Sequence, residues 1–133
     1  MRLLVIATLL CALGTAGCGR GGDRADVRAI AERFVAAYER DQGPAACAAL
    51  SGPARLALER EEQGACAAAV GGVDLDGGRV TAVEVYTTNA KVDFSSGESA
   101  FFSEEAAGWR LSAAGCRPQG KPADRPFECE LEA

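Results

Sequence analysis

The chain divides by the period of its apolar residues. From Asp23 to about Val70 they recur at helical spacing, and from Arg79 to Leu131 they alternate as in strands. Val27, Ile30, Phe34 and Tyr38 fall three and four apart, Ala31 and Val35 widen that stripe, and Arg24, Arg28, Glu32 and Glu39 lie off it. The spacing predicts one long amphipathic helix with Asp23 as its N-cap, a carboxylate accepting from the first-turn amides. Gly43-Pro44 stops that helix and starts a short one over 44–50, because proline's fixed φ and missing N–H suit the first helical position. Ser51-Gly52-Pro53 repeats the signature before a helix over 54–62, with Ser51 as its cap. Gly64 precedes a last turn or two over 65–70, and Gly71-Gly72 closes the helical half.

The second half is punctuated for strands. Val80 to Tyr86 is β-branched and aromatic. Ala90, Val92 and Phe94 alternate with Lys91 and Asp93, the pattern of a half-buried strand. Ser95-Ser96-Gly97 turns into a strand over 99–103, and Ala106-Ala107-Gly108 turns into Trp109, Leu111 and Ala113, which alternate with Arg110 and Ser112. After a Pro- and Gly-rich loop, Phe127, Cys129 and Leu131 alternate with Glu128, Glu130 and Glu132 in a final strand. Helices followed by strands predict an α+β fold: N-terminal helices, one long and two or three short, packed on a curved antiparallel β-meander of four to five strands.

The N-terminus stands outside that fold. Met1 and Arg2 form a minimal basic region, and Leu3 to Leu13 is an apolar run. Eleven such residues fall short of the roughly 20 that cross a hydrocarbon core, as expected of a signal segment. The run leads into Thr15-Ala16-Gly17-Cys18, which resembles the lipobox of bacterial lipoproteins, two small residues before a cysteine that becomes acylated. The resemblance implies cleavage after Gly17, diacylglycerol on the Cys18 sulfur and an acyl chain on its new N-terminus. Residues 1–17 are then the signal peptide, 18–23 the lipidated cysteine with a flexible glycine-rich tether, and 24–133 a single domain. An ordinary secretory signal cleaved nearby is the competing reading, and it leaves Cys18 a free thiol.

Cysteine parity separates the two. Of six cysteines, Cys11 leaves with the signal. Acylation of Cys18 leaves an even set, Cys47, Cys66, Cys116 and Cys129, suited to an oxidising compartment. Four thiols allow three connectivities. The preferred one joins neighbours, Cys47 with Cys66 to staple the short helices and Cys116 with Cys129 to tie the last two strands. The chain has no histidine and no Cys-x-x-Cys pair, so a metal site is not expected. The net charge of −5 argues against nucleic acid and against electrostatic attachment to anionic lipid. Abundant alanine with arginine far above lysine reflects a high-GC genome and says little about structure.

The long helix, the cysteine-bearing short helices and the curved sheet resemble the nuclear transport factor 2-like fold, also called cystatin-like cone or SnoaL-like. More narrowly, the chain resembles a group of uncharacterised actinobacterial lipoproteins. Cys47-Ala48-Ala49-Leu50-Ser51, Ala65-Cys66-Ala67, Gly108-Trp109-Arg110-Leu111-Ser112-Ala113-Ala114-Gly115-Cys116 and Phe127-Glu128-Cys129-Glu130 carry that likeness. These motifs concern folding and cross-linking and carry over no catalytic residue. In cone-shaped folds a pocket lies between the first helix and the sheet, so Phe34, Tyr38 and Trp109 are the candidates to line it.

Other motifs fail. Gly17-Cys18-Gly19-Arg20-Gly21-Gly22 matches a dinucleotide fingerprint as a string, but no strand precedes it. Asp74-Leu75-Asp76-Gly77-Gly78 lacks the later ligands of a calcium loop and reads as a hairpin or helix-to-sheet turn. Ser51 has no histidine to activate it. Tyr38, Asp41, Tyr86, Asp93, Glu98 and Trp109 are the residues left for acid–base chemistry, with the carboxylates expected at turns or outward positions. Glu128, Glu130 and Glu132 share a strand face, read as a solvated surface in preference to a docking edge for a basic partner. The expectation is a non-enzymatic interaction or accessory module of the cell envelope, anchored in the membrane through lipid, with no cofactor. A binding protein for a small apolar ligand is the alternative, and an enzyme with a carboxylate–tyrosine pair in the same pocket comes third.

Overall fold

The computed structural model describes residues 20–120 and 126–133. The expected signal segment, Cys18 and part of the loop before Phe127 lie outside the described residues. Four helices come first: α1 Arg20–Glu39, α2 Gly43–Ala48, α3 Gly52–Glu61 and α4 Cys66–Ala69, which runs into a 3₁₀ turn, Val70–Gly72. Six strands follow: β1 Val80–Tyr86, β2 Asn89–Phe94, β3 Ser99–Glu105, β4 Gly108–Pro118, β5 Phe127–Glu128 and β6 Leu131–Glu132. The fold is α+β, with helices packed on an antiparallel sheet and two disulfides.

The apolar stripe of α1 is the buried face: Val27, Ala31, Phe34 and Val35 all lie in the core. The helix begins earlier than its sequence predicts, so 20–23 belong to it and not to a tether. Asp23 sits in the first turn and is not the N-cap. There its charge meets the positive end of the helix, and its Oδ1 accepts from Trp109 Nε1 at 3.5 Å. That tertiary contact offsets the poor helix propensity of Gly21 and Gly22. Asp41, at φ 55°, ends α1 in a left-handed conformation, and Gln42 N donates to Ala37 O at 2.8 Å. Ser51 caps α3 as expected, its Oγ accepting from Ala54 N at 3.2 Å.

The strands lie in the order β1-β2-β3-β4, with β5 and β6 both on the far side of β4 and every pairing antiparallel. α1 packs across β1, β2 and β4, and α3 against β4 and β6. Val92, Phe94, Ala100, Phe102, Leu111, Ala114 and Leu131 fill the space between the layers. The segment after α2 also joins the sheet: Leu111 N donates to Ala49 O and Ser51 N to Leu111 O, each at 2.8 Å. The outer edge of β4 is therefore paired by 49–51, β6 and β5 in turn.

Two strand expectations need correction. β4 runs on to Pro118, because Ala113, Ala114, Gly115 and Cys116 are all buried and erase the alternation that marks a half-exposed strand. The final strand is not continuous: β5 and β6 are separate two-residue pieces. Both nevertheless keep one register, Arg117↔Glu128 and Pro118↔Phe127 on one side of the gap, Ala113↔Glu132 and Ala114↔Leu131 on the other. That register sets Cys116 opposite Cys129, and their disulfide stands where ladder hydrogen bonds stop. Gly115, at φ 64°, bends β4 at the gap, where a Cβ would approach Leu75 Cδ2 to 2.7 Å.

The second disulfide, Cys47–Cys66, joins α2 to α4 across a Cα separation of 6.0 Å. These helices touch so closely that a Cβ on Gly43 would lie 1.8 Å from the carbonyl oxygen of Ala67. Gly43→Ala forces the helices apart and is expected to cost at least about 2 kcal/mol in urea unfolding. Gly52→Ala is the opposite case, since nothing lies within 4 Å of its Cβ position. It is expected to stabilise by up to about 1 kcal/mol, by reducing the freedom of the unfolded chain.

Candidate functional site

The space between α1 and the sheet is where a ligand pocket is expected. Phe34 and Tyr38 face it with stacked rings 6.5 Å apart, joined by Leu75, Phe102, Leu111 and Glu98. What remains open is about 10 Å³, room for about one water molecule, against the 300 Å³ or more of a small-molecule site. Trp109 is not part of this lining. It is buried at the start of β4, and its indole N–H reaches Asp23, so it anchors the first turn of α1.

The polar groups at this cavity hold the chain between α4 and β1. Tyr38 donates its hydroxyl to Val73 O at 2.6 Å and accepts from Leu75 N at 3.3 Å. Glu98, expected at a turn or facing outward, is turned inward and is only 3% exposed. Its Oε2 accepts from the amides of Asp76 and Gly77 at 3.1 and 3.2 Å, and its Oε1 takes Arg117 Nη2 at 2.7 Å. Arg117 also reaches Asp76 at 2.9 Å and Glu130 at 3.6 Å. Among the described residues, no buried side-chain nitrogen or oxygen lacks a partner. A carboxylate and a tyrosine do share this cavity wall, but both are engaged in fastening backbone.

The other candidates are dispersed. Asp41 is exposed at the end of α1, beside a shallow crevice between α1 and α4. Tyr86 is exposed at the end of β1 and donates to Glu84 at 2.8 Å; that carboxylate raises the pKa of its hydroxyl. Asp93 lies on the sheet face turned away from α1. Partial burial works to raise its pKa, but the Ser99 hydroxyl at 2.6 Å and the Lys91 ammonium outweigh it and hold the carboxyl below its usual range. Of the three glutamates expected on one face, Glu128 and Glu132 line one groove across the break between β5 and β6, and Glu130 is not in its lining. Glu130 turns to Arg117, and Glu128 accepts from Gln119 Nε2.

The sheet face turned away from α1 carries an open groove of about 750 Å³. Phe101 and Phe127 meet edge to face in it, centroids 5.1 Å apart, and Ser112, Cys129, Glu128 and Glu132 are among its other walls. Lys91 Nζ lies 5.7 Å from the Phe127 ring centroid. Its sequence signal is faint: the outward position of Phe101 follows from strand alternation, but its meeting with Phe127 depends on the register across the disulfide.

Among the described residues, no three histidines, cysteines or carboxylates gather as they would around a metal ion. Among the same residues, no helix is long and apolar enough to cross a membrane. No family model, curated protein or solved structure matches the chain.

Two outcomes test the polar network. Glu98→Ala leaves the Gly77 amide buried without an acceptor and is expected to cost about 2–3 kcal/mol in urea unfolding. Asp93 governs a pH effect. Its folded-state pKa lies below the ordinary 3.8, so its charged form stabilises the fold; that contribution is complete above 3.8 and fades as pH falls through the folded value. The gap in urea midpoint between wild type and Asp93→Asn is therefore expected to stay constant near neutrality and narrow in acid.

Proposed function

We propose that this chain is an extracytoplasmic lipoprotein, held on the membrane by diacylglycerol and acyl chains on Cys18. In this reading its domain is a non-enzymatic interaction or accessory module of the cell envelope. The carrying observation is the thiol count. The disulfides use Cys47, Cys66, Cys116 and Cys129 among themselves, so none of the four is available to Cys18. Cys11 lies in the apolar run that processing removes, which leaves Cys18 alone, at the end of Thr15-Ala16-Gly17. Acylation accounts for an odd cysteine in an exported chain, and the disulfides suit the same side of the membrane. Two or three acyl chains give durable anchoring where one is marginal.

The filled interior supports a module over a ligand carrier or an enzyme. Tyr38 and Glu98, the groups best placed for chemistry, hold backbone amides and carbonyls instead of facing open space. The sequential order of β1 to β4 beneath one long helix supports reading the sheet as the curved meander of a nuclear transport factor 2-like cone. The pocket of that cone is closed here by side chains. α1 starts at Arg20, so under this reading the domain stands close to the bilayer and works on what it meets there.

Metabolic labelling with radioactive palmitate tests the anchor. Wild type is expected to carry label and to sediment with membranes, and Cys18→Ala to lose both; unchanged incorporation in the variant contradicts the proposal. Chemical crosslinking in native membranes then tests the module, with a discrete complex expected and a chain that crosslinks to no protein against it.

A further inference from the structure

Resting on the module reading, we infer that the groove on the outer sheet face docks a basic segment of a partner envelope protein. An arginine or lysine of an extended stretch reaches Glu128 and Glu132, while a neighbouring apolar side chain settles against Phe101 and Phe127. Shape and charge each contribute to this assignment.

At about 750 Å³ the groove has room for several side chains, and it lies open along the sheet as an extended chain needs. Its charged lining residues are both acidic, Glu128 and Glu132, and neither forms an ion pair among the described residues. The cations of the strands bond to other groups, although Lys91 Nζ stands beside the Phe127 ring. Lys91 is engaged by Asp93 and Glu84, Arg110 donates to the Trp109 carbonyl, and Arg117 is shared by Asp76, Glu98 and Glu130. Among the described residues, then, no cation pairs with Glu128 or Glu132, and an incoming one meets these carboxylates at the rim. The half-buried phenylalanine rings supply apolar area at the floor, and the Phe127 ring already lies near one ammonium. A second copy of this chain is a poor occupant, because at net charge −5 it is repelled by the same rim.

The test uses the acylated protein in nanodiscs of zwitterionic, net-neutral phosphatidylcholine. The probe is a fluorescein-labelled peptide alternating arginine and leucine, with its glutamate–leucine counterpart as control, read by anisotropy. Wild type is expected to bind the basic peptide and not the acidic one. Glu128→Gln with Glu132→Gln is expected to weaken binding about tenfold, the loss of roughly one well-placed charge contact. Glu61→Gln with Glu62→Gln removes the same net charge from the exposed end of α3 and is expected to change affinity by less than about twofold. Ser112→Trp, which fills the groove, is expected to abolish binding. Equal weakening by the two double variants shows a general attraction of an acidic protein and overturns the inference, as does failure of wild type to bind. If the groove fails while membrane crosslinking still captures a partner, the module reading stands; if crosslinking finds none, that reading falls as well.

Discussion

A single buried carboxylate organises the passage from helices to sheet. Between the 3₁₀ turn and β1 the chain crosses from one layer to the other, and its backbone amides have no ladder to join. Glu98, just ahead of β3, accepts two of them, from Asp76 and Gly77, and its second oxygen holds Arg117 at the end of β4. Tyr38 performs the same service from α1, through Val73 and Leu75. The crossing segment is thus fastened from both layers. Desolvating the carboxylate is offset by two backbone donors and one charge-assisted bond, the condition under which a buried charge is tolerable.

That arrangement bears on function. In a domain of this size a cavity between helix and sheet is a natural place for a ligand, and polar groups in its wall are natural instruments of catalysis. Here those groups are committed to the backbone, and Phe34, Phe102 and Leu111 fill the space. The disulfides add support where apolar bulk is scarce. Cys47–Cys66 secures α2 and α4, which are mostly alanine and pack through Gly43, and Cys116–Cys129 spans a gap in the ladder at Gly115. In the chain-entropy picture each such loop contributes about 3 kcal/mol. Under the module reading, what the molecule offers to others is its surface, and among the described residues the acidic groove over Phe101 and Phe127 is a feature of definite shape and sign.

Much of this was legible in the residues. The α1 stripe, the Gly-Pro stops before α2 and α3, the Ser51 cap and the span of β1 all follow from local physics, and the structure agrees with them. The disulfide pairing preferred from proximity is the one present. Other features depend on contacts between distant parts. The first turn of α1 meets Trp109, 86 residues away, and the length of β4 is hidden because residues 113–116 are all buried. The inward turn of Glu98 was missed because a glutamate after Ser-Ser-Gly has the local signature of a solvated turn. Its partners, the Asp76 and Gly77 amides and Arg117, lie 19 to 22 residues away. A weak signal existed in Gly77 and Gly78, whose left-handed backbones mark a chain held close to something.

Under the proposed reading, the domain acts through its outer surface and is held at the membrane through Cys18. The attachment is the claim on which the functional reading turns. The intact mass of the mature protein purified from membranes tests it most directly. The account predicts a chain that begins at Cys18, carries diacylglycerol and an acyl chain, contains two disulfides and has no alkylatable thiol. A mature chain without lipid, in which Cys18 is alkylated or paired with another cysteine, would contradict it.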